Sequence, residues 1–168
     1  MFIQGKCRKC KKQISIQYLL VELLSVFSFV AAYFFYGITI TTLLFIILAL
    51  TFIIIFFIDL KHYIIPNGLT FPLMFIGFIK SFDPNLNELF PNYINSLIGG
   101  VFGYGIIWAI IFIYKVLRNK EGMGLGDAKL LSAIGFWFGW IAIPFVIFSS
   151  SIVALFVVLP SLINKSKK

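Results

Sequence analysis

The chain has 168 residues, of which 61% are hydrophobic and only 12% charged, with a mean hydropathy of +1.03. That composition excludes an ordinary soluble domain and indicates an all-α, polytopic integral membrane protein. The net charge of +8 does not indicate nucleic-acid binding, because the lysines and arginines cluster at the edges of apolar runs, where anionic lipid head groups meet them.

Residues 1–16 form a basic N-terminal segment containing Lys6, Cys7, Arg8, Lys9, Cys10, Lys11 and Lys12. The positive-inside rule keeps such a block in the cytoplasm. No small-residue cleavage site follows the first apolar run, so no signal processing is expected. Cys7 and Cys10 are the only cysteines, and a reducing compartment makes a structural disulfide the weaker use of them. Their Cys-x-x-Cys spacing offers two thiolates to a zinc ion whose closed structural site needs four ligands. Three readings stay open: a zinc half-site completed by a second copy of the chain or another segment, a redox pair, or two unused thiols.

No charged residue occurs between Glu22 and Asp59, enough for two spans, and Gly37 with its threonine-rich neighbours marks the turn between helices at 17–36 and 39–58. Glu22, about one turn inside the first helix, reads as a tethering or packing residue. The chain surfaces at Asp59 to Asn67, where Pro66 disfavours helix for Ile65 and Asn67 reads as the cap of the next helix. A short third span, 68–82, carries Pro72 and Gly77, which predicts a kink or shielding from lipid. The loop 83–92 has Asp83 and Glu88 with no Lys or Arg, as an external loop can. A fourth span, 93–117, places Gly99 and Gly103 four residues apart, a spacing that admits close helix packing within the chain or, alternatively, a substrate helix.

Lys115, Arg118 and Lys120 return the chain to the cytoplasm just before Gly122, Gly124 and Gly126, three glycines at alternate positions that lead into Asp127. Glycine permits sharp bends and close backbone approach, so this stretch, with Lys129 beyond it, is a candidate substrate-contacting loop. A fifth helix, 127–140, is short for a span, and a sixth, 141–163, precedes the basic tail 164–168. Six spans put both termini and every basic loop on one side, whereas five strand the tail outside. The expected architecture is one transmembrane helical domain over 17–163, with both termini inside.

This topology sets Asp59, at the end of the second helix, and Asp127, at the start of the fifth, at the same membrane face. Close carboxylates share a proton, so one can activate water while the other protonates a leaving group. The plain alternative is that each terminates a helix, Asp127 as a cap. Two further readings compete: a proton- or cation-coupled transporter or channel using the same carboxylates, and a non-catalytic assembly subunit.

Gly124-Leu125-Gly126-Asp127 resembles the signature of the prepilin peptidases, polytopic aspartic proteases of the GxGD type. The likeness extends from Glu121 through Leu131, includes Asp59 with Ile65-Pro66-Asn67, and takes in Cys7 through Ser15 and Leu20 through Leu24. The resemblance implies Asp59 and Asp127 as the catalytic pair. It also implies removal of a short basic leader from type IV prepilins or pseudopilins at the cytoplasmic face of the bacterial inner membrane, with no cofactor for proteolysis. Many such proteins also methylate the product with S-adenosylmethionine and carry an extra first helix and a first Cys-x-x-Cys pair. This sequence shows neither feature, so the resemblance by itself implies neither methylation with S-adenosylmethionine nor zinc binding within one copy; Cys7 and Cys10 could meet their counterparts in a homodimer, or the sequence could be part of a longer chain.

Overall fold

The structure is a computed structural model that describes residues 15–86, 89–118 and 124–165. All regular structure among these residues is helical: α1 (Ile16–Tyr36), α2 (Ile40–His62), α3 (Asn67–Lys80), α4 (Tyr93–Arg118), α5 (Leu125–Phe138) and α6 (Ala142–Lys165), with a single 3₁₀ turn at Pro84–Leu86. Helices α1, α2 and α4 are long and apolar enough to cross a membrane. Helices α3 and α5 have only 14 residues each, about 21 Å at the α-helical rise. Phenylalanines such as Phe27, Phe34, Phe35 and Phe56 stand exposed on α1 and α2, as lipid-facing side chains do.

Two compact units are present, residues 1–65 and 66–168. In the first, α1 and α2 pack as a hairpin. Gly37 makes the turn possible with a φ of +63°, and the Thr42 hydroxyl donates to its carbonyl at 2.6 Å. The Tyr36 and Phe45 rings stack beside it at 4.9 Å. Helix α2 runs four residues past the expected boundary of 58 and ends at Tyr63, which takes the left-handed conformation at φ 54°. Asp59 therefore lies inside the last helical turn, because the interface that admits charged side chains still favours paired backbone groups.

The second unit is built around α5. Antiparallel α4 approaches it through small residues: Ser96 Oγ donates to the Phe136 carbonyl at 2.7 Å, Ser132 Oγ donates to the Gly100 carbonyl at 2.8 Å, and Gly99 lies against Gly135. The Gly99/Gly103 spacing thus serves packing within the chain. A Cβ on Gly135 would collide with the backbone of Gly99, so the contact requires glycine on both helices. Helix α3 runs parallel to α5 on another side, with Trp137 Nε1 donating to the Leu73 carbonyl at 2.8 Å and its indole filling the space at Gly77. Helix α6 packs through Ile143 into a core of Ile107, Ala128 and Leu131. No buried side-chain nitrogen or oxygen among the described residues lacks a hydrogen-bond partner, as a low-dielectric surrounding demands.

Candidate functional site

Asp127 is the third residue of α5 and is half-buried. The N-cap is Gly124, in an extended conformation with φ −78° and ψ 145° and no side-chain cap bond, so Asp127 is a first-turn residue and not the cap. Its backbone N–H reaches the Gly124 carbonyl at 3.3 Å. A carboxylate in the first turn meets the positive end of the helix dipole. Neighbouring Ala128 is fully buried and Leu131 nearly so, and Asp127 lines a cleft of about 240 Å³. That cleft runs between α4, α5 and α6, with Ile107, Leu130, Ile134, Val146 and Ile147 as apolar walls and Ser150 as the other polar side chain. A larger hollow of about 750 Å³, lined by Phe71, Phe75, Phe78, Leu97 and Phe136 among others, contains no titratable group.

Gly126 is inside the helix and Gly124 immediately before it. Neither adopts positive φ, which is confined to Gly37, Gly139 and Tyr63 among the described residues. The contribution of these two glycines is therefore the absence of a side chain and not a left-handed turn. At Gly124 an added Cβ would find, among the described residues, only the Gly126 nitrogen, 3.9 Å away.

Lys129, two residues past Asp127, donates from Nζ to Asn67 Oδ1 at 2.7 Å and lies 5.6 Å from the centroid of the Phe71 ring. Asn67 is the first residue of α3. Pro66 occupies the N-cap position in its place, and no side chain caps this helix, which corrects the expectation that Asn67 would. Helical geometry sets Lys129 about 200° around α5 from Asp127. One side chain faces α3 and the other the α4–α6 cleft.

Asp59 stands exposed in the last turn of α2, and its backbone carbonyl accepts from the Tyr63 N–H at 2.8 Å. It belongs to the first compact unit and Asp127 to the second. Glu22, on α1, is exposed. Cys7, Cys10 and Gly122 lie outside the described residues. Among the described residues no cluster of three His, Cys, Asp or Glu side chains is placed to hold a metal ion.

Two features escaped the sequence reading. Lys80, the last residue of α3, is buried, with Nζ donating to the Trp137 carbonyl at 3.0 Å and lying 3.8 Å from the Phe90 ring centroid. The pairing of Asn67 with Lys129 joins residues 62 apart in sequence. Its only signal in the sequence was a polar side chain at each of two helix starts.

Residues 46–159 match the type IV leader peptidase family, and residues 1–36 match the bacterial peptidase A24 N-terminal domain. A prepilin leader peptidase/N-methyltransferase of Aeromonas hydrophila is 38% identical over 156 residues, covering 93% of this chain and 52% of that protein. Proteins of the same description from Neisseria gonorrhoeae and Xanthomonas campestris pv. campestris are 37% and 39% identical, over 92% and 91% of this chain and 53% and 52% of their own lengths. The chain thus spans about half the length of the curated relatives it matches. No solved structure matches it. Asp59, Gly124, Gly126, Asp127 and Lys129 all fall within residues 46–159, and on that match the chain belongs to the type IV leader peptidase family.

Proposed function

We propose that this protein is a membrane aspartic endopeptidase that removes the basic leader from a type IV prepilin or pseudopilin, at the cytoplasmic face of the bacterial inner membrane. The observation that carries the reading is the family match over residues 46–159, which contains Asp59 and Asp127, the latter half-buried in a helix first turn and lining an apolar cleft. In the reaction one carboxylate takes a proton from water, whose oxygen bonds to the scissile carbonyl carbon. The partner carboxyl protonates the departing amide nitrogen as the C–N bond breaks. The cleft beside Asp127 suits an apolar side chain next to the scissile bond, and Gly124 and Gly126, which carry no side chains, suit close approach of an extended backbone. Proteolysis by this route uses no metal or organic cofactor. Methyl transfer, named for the full-length relatives, is not part of the assignment.

The test is cleavage of a prepilin-like substrate in liposomes by the wild type, Asp59→Asn and Asp127→Asn, with mass spectrometry of the product. Each substitution is expected to lower the rate by about 10²–10⁴-fold, and the product mass reports whether a methyl group is added. Wild-type-like cleavage by either variant would discard the two-aspartate mechanism.

A further inference from the structure

Lys129 is a cation in the second turn of a helix, at the end where the dipole disfavours positive charge. Two groups on α3 hold it there: the Asn67 side-chain oxygen at 2.7 Å and the Phe71 ring at 5.6 Å. Asn67 and Phe71 are four residues apart and so share one face of α3, making an acceptor and an aromatic surface for a single ammonium group. Side-chain contacts farther along these two helices include Trp137 with Leu73 and Gly77, Phe136 with Phe78, and Lys80 with the Trp137 carbonyl. The starts of the two helices, where Asp127 sits, are joined by Lys129. Its side chain points about 200° away from that of Asp127 and is absent from the cleft that Asp127 lines.

We infer that Lys129 is a positioning residue for Asp127: by binding Asn67 and Phe71 it fixes the rotation and placement of the first turn of α5 against the start of α3. The inference rests on the proteolytic reading only for its kinetic consequence. The tie itself is a property of the folded chain.

Lys129→Ala, Lys129→Arg, Asn67→Ala and the Lys129→Ala/Asn67→Ala double variant test it. For Lys129→Ala a kcat lowered by about a hundredfold is expected, the scale of a small misplacement of a reacting group, with KM unchanged. Asn67→Ala loses part of this, and the double variant is no worse than Lys129→Ala because both remove one interaction. Lys129→Arg, which keeps a donor and a cation over Phe71, retains most of kcat. Amide hydrogen exchange in detergent should quicken together over residues 67–70 and 124–131 in Lys129→Ala. Unchanged exchange there, or a raised KM with kcat intact, overturns the inference. A lowered melting temperature with normal kcat for the folded fraction overturns it as well. Should the wild type cleave no prepilin-like substrate, the proteolytic reading fails while the exchange experiment still decides whether Lys129 holds the first turn.

Discussion

Lys80 shows how a single side chain in this protein is held by its surroundings. It sits at the C-terminal end of α3, buried to 5% exposure, and its Nζ donates to the carbonyl of Trp137 in the last turn of α5. That carbonyl is one of the orphan acceptors a helix leaves at its C-terminus. Lys80→Met keeps much of the aliphatic stem but removes the donor, leaving a buried carbonyl unpaired. Loss of about 2 kcal/mol is expected, the usual cost of an unmet buried polar group, read as a lower melting temperature in detergent. Trp137 is ten residues beyond Asp127, about 15 Å along the axis of α5, so the cleavage rate of the folded fraction should be unchanged. A fall in that rate with normal stability would give Lys80 a part in the reaction.

Among the elements, α4 and α5 depend most on residue size. Gly99 and Gly135 face each other so closely that a methyl group on either meets the other's backbone, and helix backbones cannot yield as a side-chain tip can. Gly135→Ala is therefore expected to push the helices apart and cost about 2 kcal/mol, in the range of overpacked cores. Gly105, also on α4, has no atom of the described residues within 4 Å of an added Cβ. Gly105→Ala should be neutral or stabilising by up to about 1 kcal/mol through helix propensity alone. Thermal unfolding of the two variants side by side checks both expectations, and equal melting temperatures would contradict the close approach. The existence of all six helices was legible from charge-poor runs because lipid-facing helices are selected by hydropathy. Their ends were less so. Asp59, Lys61 and His62 read as loop by polarity, yet α2 continues through them to His62. Asn67 read as a cap by residue type, yet its oxygen is taken by Lys129 from a different helix. The burial of Lys80 had no local signature, since the carbonyl it meets is 57 residues away. Composition reports where a segment prefers to be, and only tertiary packing decides which polar groups become partners.

For the whole molecule, the directions of the helices in the second unit bear on how the chain threads the bilayer. Helices α3 and α5 run parallel, and α4 and α6 run against them, as four consecutive crossings would. Yet α3 and α5 are 14 residues long, about 21 Å, while a hydrocarbon core is about 30 Å thick. Helix α4, with 26 residues, is long enough to cross by itself and covers one side of α5. Partial crossing by the two short helices is tolerable where α4 shields their ends or the bilayer thins around them. Charge gives the direction: Lys61, then Lys115, Arg118 and Lys120, then Lys165, Lys167 and Lys168 mark three segments that should all lie in the cytoplasm, whereas the turn at Pro84–Leu86 is flanked by acids. A reporter active only in the cytoplasm should therefore give signal when fused after His62, Arg118 or Lys168, and none when fused after Leu86 or Trp140. The decisive position is Lys168. Signal there together with silence after Trp140 requires α5 and α6 to act as a complete out-and-back pair despite the shortness of α5. Silence there, with signal retained after Arg118, would mean that only five segments cross and that the tail lies outside against its charge; signal after Trp140 would then make α5, which carries Asp127, the helix that does not span.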